Sequence, residues 1–283
     1  MAEPTSNPIV ANPVIDTDQP RRPLDSPANG RPVWRTMLPL ALVVAFSTLL
    51  RAGIVSVPLD RDEGEYAYIA QRWLAGELPY RDAFVQTPPG VFVAYTALFA
   101  LGGTSIEAIH WFGHAQFVGT LVFVYLIGRR LFSPLAGSVA AFFTVILIMD
   151  PSLVGSSSSV ELFATLPLAA GLFFALRAAD DGRPRDALLA GLCGGLALCF
   201  KLVVVPVVLF YLVWIVVLRW RSGRGVQTAA LPSDDSGRST TAAVHVRPAL
   251  FRLVGSFVLG VGLVLVPTCL YFVGHGAWSD FLE

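Results

Sequence analysis

Charge is scarce in this chain. Of its 283 residues only 14% are Asp, Glu, Lys or Arg, while 54% are hydrophobic and the mean hydropathy is +0.64. Soluble domains carry about 25% charged residues, so the shortfall excludes an ordinary soluble protein and points to a membrane as solvent. Net charge is lacking too: 20 basic residues meet 20 acidic ones, which removes the basic footprint of a nucleic-acid binder. Cysteines number three, Cys193, Cys199 and Cys269, all inside apolar runs; an odd count so placed argues against a disulfide framework. There is no P-loop, dinucleotide fingerprint, HExxH or nucleophile elbow, and no repeat of fixed period to suggest a transporter built from repeats. Residues 1–32, rich in Pro, Asn, Asp and Ser, offer little to bury and read as a disordered tail, not a signal peptide.

What is present is a series of apolar runs. A helix crossing about 30 Å of hydrocarbon needs roughly 20 apolar residues. Runs near that length lie at 37–57, 106–127, 134–149, 162–176, 187–200, 201–218 and 250–273. Arginines in the connections orient them. Arg31 and Arg35 place the N-terminus in the cytoplasm, Arg129 and Arg130 return the chain there, and the polar, Arg-rich segment 219–249 is a flexible cytoplasmic loop. The prediction is an all-α polytopic transmembrane bundle in the cell membrane. It divides into a cytoplasmic tail (1–35), a first span (36–58), an outer loop (59–105), a bundle (106–218), a cytoplasmic loop (219–249) and a last span leading outward (250–283). Residues 88–103, apolar but short, are expected as a helix lying at the outer interface. An end just past a seventh span suggests an incomplete membrane domain.

The outer loop gathers what charge there is, with nine charged residues between positions 58 and 90. Tyr66, Ile69, Ala70, Trp73 and Leu74 fall on one face of a helix, which predicts an amphipathic element lying on the membrane with Glu65, Arg72 and the preceding acids turned to water or to a cavity.

An ordered set of motifs follows. "DRDEGEYAYIAQ", "GELPYRDAF", "PPGVFVAY", "GRRLF", "SSSSVELF" and "GLALCFKLVVV" together resemble the start of the GT-C glycosyltransferases of family 39, the protein O-mannosyltransferases and lipid A aminoarabinose transferases. The resemblance runs over about residues 60–205. Members show an Asp-Glu pair after the first span, an aromatic three residues on and a Pro-Pro element, here Asp62-Glu63, Tyr66 and Pro88-Pro89. Gln86-Thr87 stand where many members have a basic residue. The resemblance implies transfer of a sugar from a polyprenyl-phosphate donor to a lipid, polysaccharide or protein acceptor at the outer face. It assigns no certain cofactor, and leaves open a divalent cation, which some enzymes of this fold use.

Such a transfer needs a positioned hydroxyl, an oxocarbenium-like centre and a stabilised phosphate leaving group. Asp62, matching the family's first acid, is the candidate base; the alternative is an N-cap, with Glu65 completing a capping box. Glu63 either supports the site or is a solvated charge. Glu161, at the start of a span, is either a second acid for acceptor or metal or a partner of the helix dipole. Lys201 either holds the lipid phosphate or snorkels to the interface. Arg72 and Arg81 either bind phosphate or pair with Glu77 or Asp82. His110 and His114, at i and i+4, have a spacing that can hold a metal, but spacing identifies no third ligand and interfacial packing is the safer reading. The rival function is a transporter or flippase of lipid-linked sugars, which would expect ionisable groups near mid-membrane in broken helices; a further alternative is a non-catalytic membrane scaffold.

Overall fold

A computed structural model describes residues 33–83, 85–148, 157–229 and 240–282. Among them the chain is helical: α1 (Val33–Ala52), α2 (Arg61–Leu74), α3 (Gly90–Ala100), α4 (Ile106–Leu131), α5 (Pro134–Ile148), α6 (Val160–Asp181), α7 (Pro184–Phe200), a 3-10 turn (Leu202–Val204), α8 (Val205–Ala229), α9 (Thr240–Gly274) and α10 (Trp278–Leu282). Each of the seven apolar runs coincides with one helix. The tail at 1–32, residues 149–156 of the turn before α6 and residues 230–239 of the proposed cytoplasmic loop lie outside the described residues, but α8 and α9 extend into that loop from either side.

Four helices are long and apolar enough to cross a membrane: Ile106–Leu131, Val160–Asp181, Leu202–Ser222 and Leu250–Gly274. The last two are the most apolar, yet only 22% and 17% of their apolar windows are buried. Leu209, Phe210, Val258 and Leu270 stand exposed on them. An apolar surface left open to this extent is a lipid-facing one, and the protein is a multi-pass membrane protein.

The bundle closes through small residues. A Cβ on Gly191 of α7 would lie 2.0 Å from Phe257 O of α9, and one on Gly260 of α9 would lie 2.3 Å from Leu188 O. The two backbones touch, as they do where dispersion packing replaces the hydrophobic effect in lipid. A second core joins α1, α4 and α5 around Leu121, Tyr125, Ala141 and Val145.

At one end of the bundle α1, α5, α7 and α9 finish while α4, α6 and α8 begin. Here α2 and α3 cap the helices through Tyr66, Ala70, Val91, Phe92, Tyr95, Ile109 and Phe163. At 11 residues α3 is about 16 Å long, half of what a crossing needs. The face of α2 meets protein rather than lipid: Tyr66 makes edge contacts with Phe92 and Tyr95 of α3. Leu74, expected on that face, is 50% exposed, because the stripe drifts round the helix and α3 covers only its first turns. At the opposite end Arg130 of α4 bonds Asp180 at 3.0 Å and Asp181 at 3.4 Å on α6, and α6 stops at Gly182, whose φ of 68° is a left-handed helix cap.

The segment between α2 and α3 docks on the last helices. Trp73 Nε1 donates to the Tyr271 hydroxyl at 2.9 Å. The Tyr80 ring packs edge-on against Phe272 and Phe281 and its hydroxyl donates to Thr87 O at 2.8 Å. Tyr80 has a φ of 73°, a conformation that costs an L-residue about 1–2 kcal/mol and that these contacts hold.

Candidate active site

The capped end collects the charged residues read from sequence. α2 starts at Arg61, with Asp60 extended and serving as its N-cap: Asp60 Oδ1 accepts from Glu63 N at 2.9 Å and Glu63 Oε2 accepts from Asp60 N at 3.1 Å. The capping box is therefore Asp60 with Glu63. Asp62 with Glu65 has the same spacing, but the helix begins two residues too early for it. That correction relieves Asp62 of the capping role. Its side chain is exposed on the first turn of α2.

Glu63 is neither solvated nor turned to a cavity. It is 1% exposed, on the buried face with Tyr66, Ala67 and Ala70, four residues at helical spacing. Its Oε1 accepts the Ser158 N–H, and the His110 ring Nε2 lies 3.3 Å away. Burial, the largest influence, pushes the Glu63 pKa up; hydrogen bonds from His110, Ser158 N–H and Asp60 N–H together outweigh it and leave the group below the usual carboxylate range.

Ser158 leads into Ser159, the N-cap of α6, and Glu161 sits in the first turn of that helix. The Glu161 carboxylate accepts from the Lys201 ammonium, and both side chains are substantially exposed. Lys201 ends α7 in an extended conformation, so the apolar run it interrupts in sequence is two helices meeting at a corner. The Pro-Pro element lies against that corner: a Cβ on Gly90 would be 2.6 Å from Cys199 O. Phe200 stacks on Phe163 of α6.

Tyr66 joins the two acids. Burial pushes its pKa up, and the negative charges of Asp62 and Glu161 push it further the same way. Its phenol is accordingly a neutral hydroxyl within electrostatic reach of both carboxylates, one from α2 and one from α6. Asp62, Tyr66, Glu161 and Lys201, scattered along the sequence, thus share one end of the bundle.

Arg72 and Arg81 are placed otherwise. Arg72 pairs with Glu77. Arg81 pairs with Asp82 at 3.1 Å and donates to His275 O at 3.4 Å. The Asp82 carboxylate also accepts from Leu78 N at 2.7 Å, and the two bonds hold its pKa below the usual range, Arg81 contributing most. Both arginines are exposed.

His110 and His114 turn to separate partners: His110 to Val55 O at 2.7 Å and to Glu63, His114 to Thr48 Oγ1 at 3.0 Å. Among the described residues no three His, Cys, Asp or Glu side chains converge as a metal-binding group, and Glu161 already carries an ammonium. This donor set does not fit a resident divalent cation.

Arg51 escaped the sequence reading. Near the end of α1 and 2% exposed, it donates to His110 O at 3.1 Å and Ser158 Oγ at 3.4 Å. Its signal was available, a guanidinium within an apolar run, which is costly unless it has polar partners.

No curated protein and no solved structure matches this chain. The family described as dolichyl-phosphate-mannose-protein mannosyltransferase matches residues 86–231, more than half of it. The match takes in the Pro-Pro element, Glu161 and Lys201, and begins after Asp62, Glu63 and Tyr66. A lipid-facing helix bundle, a cluster of acids and an ammonium at one end, and this match agree: the chain belongs to the dolichyl-phosphate-mannose-protein mannosyltransferase family, membrane glycosyltransferases of the GT-C type that take their sugar from a polyprenyl-phosphate donor.

Proposed function

We propose that the protein transfers the donor sugar to an acceptor hydroxyl at the outer face of the cytoplasmic membrane, in one displacement. The acceptor oxygen attacks the anomeric carbon while the bond from that carbon to the phosphate oxygen breaks, the phosphate leaving with the electron pair. Asp62 takes the hydroxyl proton, as a carboxylate within hydrogen-bond reach can. Lys201 neutralises the charge growing on the phosphate, a stabilisation strongest where it is realised only in the transition state. Glu161 orients the acceptor, and the neutral Tyr66 hydroxyl supplies a donor between the two acids. Arg72 and Arg81, bonded to Glu77 and to Asp82 and His275 O and not to the Glu161–Lys201 pair, are left out of the phosphate contact.

The observation that supports this reading is the bond of Lys201, at the end of α7, to Glu161, in the first turn of α6, at the bundle end that α2 and its Asp62 cap. The outer-face assignment draws on the arginines at the opposite end, Arg129, Arg130, Arg177, Arg183, Arg185 and Arg219, by the positive-inside rule. A flippase would spread its ionisable groups around the bilayer midplane, whereas Asp62 and Glu161 lie in the first turns of α2 and α6 and Lys201 at the end of α7.

The test is transfer from a radiolabelled polyprenyl-phosphate sugar in membranes carrying the full chain. Asp62→Asn is expected to lower the rate by about 10²–10⁴-fold, the usual worth of a general base. Parent-level transfer by that variant would remove the enzyme assignment.

A further inference from the structure

The buried polar cluster under the site is not used by the chemistry above. Its centre is Ser158, fully buried, with every polar group engaged from a different element. Its N–H donates to Glu63 of α2, its carbonyl accepts from the Tyr95 hydroxyl of α3 at 3.0 Å, and its hydroxyl donates to Ile109 O of α4 at 3.1 Å. Arg51 of α1 reaches the same hydroxyl. The segment is pressed so closely on α4 that a Cβ on Gly113 would be 2.3 Å from Ser158 Oγ.

Glu63 is the other half. A carbonyl only accepts, so His110 Nδ1, 2.7 Å from Val55 O, carries a hydrogen. The other ring nitrogen, Nε2, faces the Glu63 carboxylate. The two face each other at 3.3–3.4 Å, and behind them stands the Arg51 guanidinium. Buried ionic clusters of this kind add little net stability but resist being pulled apart, since removing one member strands the others without solvent.

Position in the chain turns this cluster into a device. Glu63 directly follows Asp62, and Ser158 stands three residues before Glu161 at the mouth of the same helix. We infer that Glu63, backed by Arg51 and His110 and acting through Ser158, is a positioning residue that sets the first turn of α2 against the first turn of α6, and so the spacing of Asp62 from Glu161 and Lys201. This rests on the assignment of Asp62, Glu161 and Lys201 to the transfer reaction. The cluster residues are buried, with Arg51, Glu63, His110 and Ser158 at most 3% exposed, and so stand beneath the surface that a substrate would meet.

The experiment places spin labels at two exposed neighbours of the site, Arg61 and Leu202, in the full chain with Cys193, Cys199 and Cys269 replaced by alanine. A control pair, Leu135 and Leu189, reports on the opposite end. The parent should give one narrow distance for each pair. Glu63→Ala should broaden the Arg61 to Leu202 distribution at least two-fold and leave the control narrow. Glu63→Gln, which keeps one acceptor for a backbone N–H, should fall between, with kcat lowered on the order of 10²-fold for a displacement near 1 Å and the donor KM within two-fold. A narrow distribution in Glu63→Ala overturns the inference, and so does broadening of both pairs, which would make Glu63 a support of the whole bundle. Asp62→Asn should keep both distributions narrow; if it also keeps transfer, the proposed function fails while the positioning result stands.

Discussion

Gly90 offers a sharp perturbation, because the residue is small for a reason that lies elsewhere in the chain. Its Cα faces the last turn of α7, and an added Cβ would sit 2.6 Å from Cys199 O and 2.8 Å from Cys199 C, against 3.4 Å or more for ordinary contact. The Gly90→Ala variant must therefore push the start of α3 and the end of α7 apart by about 0.8 Å. Both partners are backbone, so no rotamer change relieves the clash. Overpacking of this kind costs about 1–3 kcal/mol. The displaced turn carries Lys201, and a shift approaching 1 Å in a positioned group costs on the order of 10²-fold in rate. Thermal unfolding in detergent and transfer in membranes, measured on the same preparations, should both fall, and the rate by more than the lost stability explains. Parent-level values in both would refute the close approach of α3 to α7 and the placing of Lys201 by it.

Lys201→Met removes a charge-assisted contact with the leaving phosphate worth about 1.5–3 kcal/mol, so kcat should fall by about 10–100-fold in initial-rate measurements while the acceptor KM holds. Arg72→Ala and Arg81→Ala break only exposed pairs, each worth about 0.2–1 kcal/mol; donor KM should stay within about two-fold of the parent, and a larger rise would return these arginines to the phosphate site. Glu63 has a folded pKa below its ordinary 4.5, so its ionised form contributes stability that is fully present above that value and is lost as pH falls through the depressed one. Chemical denaturation should show the gap between parent and Glu63→Gln narrowing below about pH 4.5, and a gap constant down to pH 2 would contradict the bonds drawn to Glu63.

Each of the seven apolar runs announced a helix, four of them long and apolar enough to cross a membrane, because an element that must satisfy its own backbone in lipid has to be a long helix. The loop helix at 61–74 was legible from its periodicity as well. Its surroundings were not: amphipathic spacing reports that one face is covered, and says nothing of whether lipid or α3 covers it. The capping box failed for a similar reason. Two Asp-x-x-Glu spacings overlap in "DRDEGE", and only the start of the helix chooses between them, burying Glu63 and exposing Asp62. Lys201 and Glu161 were each legible as odd residues in apolar runs, but the bond between them depends on α6 and α7 meeting at a corner, which no local pattern encodes. Arg51 was passed over inside a span, where its partners come from α4 and the segment before α6.

The docking of the first loop on the last helices bears on how the protein is made. Trp73 waits for Tyr271, and Tyr80 for Phe272 and Phe281, across nearly 200 positions of chain. Contacts of such sequence separation form late. During synthesis the loop that bears Asp62 emerges among the first segments, yet it settles against its final neighbours only after α9 has entered the membrane, so a nascent chain halted before that helix would hold the acids of the proposed site without the seat that steadies them.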